Sequence, residues 1–277
     1  MFKLKLLKAT MPAQTQEFYE KYWAPGQAWS PSEGNFEDYE RKLVLDSATG
    51  GKICLDYGCG DGRRYGWFVR QLGLQYHGYD ISTTAVQAAG ALGLEASLLD
   101  GNGRTSLETN SCDFAICFEV FEHLLEPQNA LTEIFRVLRP GGRLLCSVPN
   151  AAYLPRRIEF LFTGFLNPKG DPRTERTKPW CDPHLRFFST AILRRFLLAG
   201  NFEVLQMTGS PFTLDFLIRY IPLVQASERL ELFVRRILNG ASFLGSHHPG
   251  LFARRLMAVA RKPEGKRGQE AFGRVNG

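Results

Sequence analysis

The segment Ile53-Cys54-Leu55-Asp56-Tyr57-Gly58-Cys59-Gly60-Asp61-Gly62 constrains the fold more than any other stretch of the chain. An apolar run ends in an acid and passes into three glycines at alternate positions, which reads as a strand entering a turn at the head of a helix. Without a Cβ at Gly58 or Gly60, a ligand can approach the backbone closely. The spacing is Asp-x-Gly-x-Gly-x-Gly, not the GxGxxG whose helix N-terminus takes a pyrophosphate. A carboxylate at the strand end repels phosphate and attracts a cation, so Asp56 suits an amine-bearing or cationic ligand.

Around this loop, short apolar runs alternate with helical periodicity. Strands are expected at 52–57, 75–80, 95–99, 114–118 and 143–148, with helices at 62–72, 83–92 and 127–138 between them. The last helix places Leu131, Ile134, Phe135 and Leu138 on one face behind Pro127, and Arg139-Pro140-Gly141-Gly142 stops it. This order predicts an α/β, doubly wound, mostly parallel sheet. Beyond 150 the pattern changes. Residues 151–183, rich in Pro, Arg and aromatics, read as a loop or lid insert with no clean period. A helix follows at Ser189–Ala199, and two further strands at 202–207 and 256–261 enclose a second insert, 211–255. The expected organisation is an N-terminal arm and helical cap (1–45), one domain (46–262) and a disordered basic tail (263–277).

Five motifs in this order resemble the class I, Rossmann-like S-adenosylmethionine (SAM)-dependent methyltransferases. They are LDYGCGDG (55–62), GYDIS (78–82), LLDG (98–101), CDFAICFEVFEHL (112–124) and EIFRVLRPGGRLLCSVPN (133–150). The resemblance implies a seven-stranded sheet with helices on both faces and inserts on the substrate side. It implies that Asp56, Gly58 and Gly60 cradle the methionine part of SAM, that Asp80 with Ile81 takes the ribose, and that Asp100 with Gly101 meets the adenine. Phe118, ending the fourth strand, either lines the cofactor pocket or is core. Each acid also has a plainer reading, as a turn cap or strand terminator.

Glu119-x-x-Glu122-His123 falls directly after that strand. If a helical turn begins there, all three side chains share one face. Two carboxylates and an imidazole, joined by His184, fit a divalent cation such as magnesium or manganese. The arrangement is similar to metal-dependent 2′-O-methyltransferases of small-RNA ends and to ubiquinone-pathway O-methyltransferases. The metal-free reading takes His123 and His184 as general base or substrate contacts, and it is the one favoured here.

The formal charge is +6, but it is unevenly placed: residues 11–150 hold 11 basic and 18 acidic side chains, and residues 151–260 hold 15 and 8. The basic half coincides with a region that resembles methyltransferases of saccharide and lipid-linked glycan pathways, which points to an anionic or lipid-linked acceptor. Arginines interleaved with apolar residues in 211–255 allow either a lid or peripheral membrane contact. Nucleic acid, through Trp180, Phe187 and Phe188, ranks below a small-molecule or glycan acceptor because no RNA-binding module is visible. No apolar run reaches the roughly 18 residues of a spanning helix. Six cysteines without a CxxC pair, several in apolar runs, imply a reducing compartment, and the chain is expected to be cytoplasmic. The basic N-terminus has no uninterrupted apolar core and reads as a surface arm. The expected function is O-methylation by SAM. Metal-assisted methylation of a vicinal diol or RNA 3′ end, and a non-catalytic scaffold, are the alternatives.

Overall fold

The computed structural model describes residues 13–24, 36–48, 53–164, 184–210, 230 and 244–264. Much of the two expected inserts and nearly all of the expected tail, 263–277, lie outside the described residues.

Seven strands form one sheet in the order β3-β2-β1-β4-β5-β7-β6. They are β1 (Ile53–Tyr57), β2 (Gln75–Asp80), β3 (Ala96–Leu98), β4 (Cys112–Phe118), β5 (Leu138–Pro149), β6 (Glu203–Gly209) and β7 (Arg255–Arg261). The first five pair in parallel, and β7 runs antiparallel to both β5 and β6. The fold is the expected Rossmann-like one. Continuous apolar runs make the central strands because both of their faces are covered. In β4, Ala115 and Cys117 face one side with Leu144, Cys146, Leu256 and Ala258. Phe114, Ile116 and Phe118 face the other with Leu145, Met257 and Val259.

Helices α1 (Ala13–Tyr22), α2 (Phe36–Ser47), α3 (Gly66–Gln71), α4 (Thr83–Ala91), α5 (Pro127–Val137), α6 (Leu154–Thr163) and α7 (Thr190–Ala199) are joined by two short ones, α8 (Leu244–His247) and α9 (Pro249–Phe252). α5 and α7 cover the first face through Leu131, Ile134, Leu193 and Leu197. α2 and α3 cover the second through Leu43, Val44 and Val69. Ser82 caps α4 by accepting the Ala85 amide at 3.2 Å, and Ser189 caps α7 through the Ile192 amide at 3.3 Å. α3 begins four residues later than the periodicity suggests, because Gly60 and Gly62 hold left-handed backbone (φ +55° and +71°). α6 is a second departure, a helix where no clean period was visible. Pro155 sits in its first turn and Gly164 ends it at φ +66°. Among the described residues, no helix is long and apolar enough to cross a membrane. The five described cysteines are free thiols.

One buried ionic cluster ties α2 to the far strands. Glu40, fully buried, accepts from Ser147 Oγ at 2.8 Å, Arg64 Nη2 at 3.1 Å, Arg255 Nη1 at 3.4 Å and the Tyr65 hydroxyl. Burial pushes its carboxyl up, while Arg255 and Arg64 pull it back down. Removing one member of such a set leaves the others buried and uncompensated. Glu40→Ala should therefore lower stability by about 3–5 kcal/mol in urea unfolding, whereas Glu17→Ala, in an exposed ion pair with Lys21, should change it little.

Candidate functional site

The strand order reverses between β1 and β4, and in such sheets ligands bind at the carboxyl ends of the strands there. Four strand ends and one helix supply the side chains. Asp56 is the penultimate residue of β1, and its Oδ2 accepts the Tyr76 hydroxyl at 2.8 Å. Burial raises its carboxyl to about 7; the Tyr76 hydrogen bond opposes the rise, and Asp80 adds to it. The glycine turn that follows is held from β2. The amides of Gly58 and Cys59 both donate to the Tyr79 carbonyl, at 2.7 and 3.0 Å.

Asp80 closes the turn. Its Oδ2 accepts the Gly60 amide at 2.9 Å and its Oδ1 the Ser82 amide at 3.0 Å, with the Ile81 amide also contributing. Burial nevertheless holds this carboxyl above its ordinary value. Each carboxylate oxygen can accept more than one hydrogen bond, so Asp80 keeps capacity for a diol. Asp100 and Gly101 begin the turn after β3, where Asp100 Oδ1 accepts the amides of Asn102 and Arg104 at 2.8 and 2.7 Å. Phe118 is core: it is 7% exposed, and its ring meets Tyr65 at 4.9 Å between centroids.

The Glu119 set does not assemble as the sequence suggests. Glu119 takes left-handed backbone, φ +58°, so no helical turn runs through it, and only Phe121–His123 form a short 3-10 turn. Its carboxylate turns to Arg255 Nε at 3.0 Å and Ser147 Oγ at 3.2 Å, joining the Glu40 cluster. Glu122, His123 and His184 do converge. The imidazoles stack at 4.7 Å between centroids, and each Nε2 faces Glu122 Oε1, at 3.6 Å for His123 and 4.0 Å for His184. Glu122 is 1% exposed, and neither carboxylate oxygen has a hydrogen-bond partner. Burial, and then the charge of Glu119, push its carboxyl well above the usual range. The backbone draws the two halves together, since the Leu185 and Arg186 amides donate to the Glu122 carbonyl at 2.7 and 3.0 Å.

Several contributors escaped the sequence reading. Tyr19, Glu20 and Trp23 bring α1 onto the site, with the Tyr19 ring edge-on to His123 and Trp23 over Gly60. By sequence Tyr76 is a strand residue, and Arg255 the last residue of the second insert. Only Glu40 left a signal, an acid in line with Leu43 and Val44 at helical spacing.

These features fit SAM. A buried carboxylate at Asp56 suits an amine, the acceptor capacity at Asp80 suits a ribose, and the glycine backbone lies between them. Known proteins are similar in sequence and in fold. Residues 55–146 match the family described as methyltransferase domain. The ubiquinone biosynthesis O-methyltransferase of Cupriavidus pinatubonensis is 25% identical over 217 residues, 73% of this chain and 81% of that protein. A SAM-dependent methyltransferase from Archaeoglobus fulgidus superposes with a TM-score of 0.54 at 16% identity, covering 82% of this chain and 94% of its own. The [4+2]-cyclase SpnF superposes at 0.55 and 21% identity, covering 91% and 96%. A shared fold does not name a reaction.

Asp56 gives this site a pH dependence. A cationic partner binds the carboxylate form, which is populated above about 7 and lost below it. SAM affinity measured by calorimetry should therefore weaken about tenfold from pH 8 to pH 6, and Asp56→Asn should bind more weakly throughout with a flattened profile.

Proposed function

The chain is a class I SAM-dependent methyltransferase, and we propose that it methylates a hydroxyl oxygen of a small-molecule acceptor, including saccharide and lipid-linked ones. The observation that carries this reading is the His123–Glu122–His184 cluster at the end of β4, beside the cofactor face. The O-methyltransferase relative supports oxygen as the target atom.

Asp56, Gly58 and Gly60 would hold the amino-acid part of SAM, Asp80 and Ile81 its ribose, and Asp100 and Gly101 its adenine. The chemistry that SAM supplies when bound is an electrophilic methyl group on a positively charged sulfur. With the leaving group already activated, the protein's work is alignment and removal of one proton. His123 takes the acceptor's hydroxyl proton as the oxygen forms its new bond. Glu122, whose carboxyl faces the Nε2 of both rings, orients the His123 imidazole, and His184 holds the ring plane by stacking. The proton then leaves to solvent from His123, whose side chain is 19% exposed. The basic half of the sequence supports an acceptor carrying negative charge.

A second reading has its own observation. Glu122, His123 and His184 each offer a ligand atom, all within 4.8 Å of one another. Two imidazoles and one carboxylate suit manganese better than magnesium, which prefers oxygen ligands. There the cluster would hold a metal against a vicinal diol, the 3′ end of an RNA included, and Glu119 would stand outside the ligand set.

The test incubates the protein and methyl-labelled SAM with small-molecule, lipid and RNA fractions of a lysate. Label is expected in the small-molecule or lipid fraction as an ether stable to mild base; label confined to RNA rejects the first reading. His123→Gln should lower turnover by about 10²–10⁴-fold while leaving SAM affinity unchanged. Activity that survives EDTA in metal-free protein eliminates the second reading.

A further inference from the structure

Helix α1 and Trp23, the residue that follows it, touch three separate parts of the site within little more than one turn. Tyr19 sets its ring against His123, centroids 6.1 Å apart at 87°. Glu20 accepts from Ser82 Oγ at 2.9 Å, the Thr83 amide at 2.7 Å and the Thr84 amide at 3.0 Å, all just beyond Asp80. These bonds overcome burial and hold its carboxyl at about 2, so the latch persists across the physiological range. Trp23 lies over the glycine turn, where a Cβ added at Gly60 would come within 2.4 Å of the indole.

Trp23 follows the last residue of α1, but its amide donates to the Tyr19 carbonyl at 3.0 Å, so the two side chains lie one helical turn apart on one side. That face runs from the glycine turn to the histidine cluster. A ligand that extends from Asp56 and Gly60 towards His123 must pass beneath it. The Tyr19 phenol is itself largely buried, and burial, reinforced by Glu122 and Asp80, raises it above its ordinary value, so it remains a neutral hydroxyl.

We propose that Tyr19 forms the wall of the cofactor cavity that faces the sulfonium, and that it lets the protein tell SAM from its demethylated product. The inference rests on the cofactor reading above. Loss of the methyl group turns a charged sulfonium into a neutral thioether. An aromatic ring attracts a cation held close to it and has no such attraction for the neutral form. The same contact therefore holds SAM and releases the product. Glu20 keeps the ring in place by docking α1 on α4, so its effect on ligand choice passes through the ring.

Calorimetry with SAM and with S-adenosylhomocysteine, on the full chain, tests this without an acceptor. Tyr19→Leu should weaken SAM by roughly 3- to 30-fold and the product by about twofold or less. Tyr19→Phe keeps the ring and should stay within about threefold of the unmodified protein for both ligands. Glu20→Gln, which loosens the support of the ring, should weaken SAM more than the product, and by no more than Tyr19→Leu does. Circular dichroism checks the fold, and Tyr19→Met makes the same comparison if the leucine variant does not fold. Equal losses for the two ligands at Tyr19, or no loss for either, overturn the proposal. If the unmodified protein binds neither ligand, the cofactor reading itself fails.

Discussion

Asp80 accepts the Gly60 amide on one carboxylate oxygen and the Ser82 amide on the other, and so joins the turn after β1 to the head of α4. The rest of the site takes its position from that pair of bonds. Gly58 and Cys59 reach back to the same strand end through Tyr79, and Glu20 grips α4 only three residues further on. The constraint is expensive in one respect, because it buries a carboxylate. Three backbone amides compensate it, and backbone dipoles fixed by a fold need no reorganisation when a ligand arrives. The glycines make this possible: at positive φ their amides can turn inward at little steric cost.

Two other buried glutamates show how burial can serve opposite ends. Glu40 is surrounded by donors from Ser147, Arg64, Arg255 and Tyr65, and its role is to join α2 to the strands. Glu122 lies equally deep, yet its oxygens have no hydrogen-bond partner, and one of them, Oε1, faces two imidazoles. A buried polar group without such a partner is costly, and native proteins tolerate the cost where chemistry needs it. Arg255 belongs to the first region, binding Glu40 through Nη1 and Glu119 through Nε, and its charge also reaches Glu122.

The sheet was legible because period and punctuation agreed from Lys52 to Asn150. Apolar runs of strand length alternated with an amphipathic helix behind Pro127, and Gly141-Gly142 marked the return. Asp56 and Asp80 were legible for the same reason, each lying at or next to the carboxyl end of its strand. Glu119 was misread because i,i+3 and i,i+4 spacing places side chains on one face only where the backbone is helical, and its positive φ breaks that premise. The partner that draws it away, Arg255, is over 130 positions distant, and no local pattern encodes that pairing. α1 was similarly hidden. Its contacts with His123, Ser82 and Gly60 exist only once the sheet has brought those residues to one edge.

The place of β7 has a consequence for how the chain is assembled. β7 lies between β5 and β6 and is the last strand among the described residues, while β6, made some fifty residues earlier, pairs with β7 alone. During synthesis the parallel half of the sheet can pair as it emerges. β6 has no such earlier neighbour, because its one partner among the described strands is β7. Insertion of this late antiparallel strand is a long-range event and so an intrinsically slow one. Arg255 sits at the head of that strand, so the ionic cluster beneath the candidate site is completed in the same step. The pairs that position the cofactor cradle, β1 with β2 and with β4, do not involve this strand.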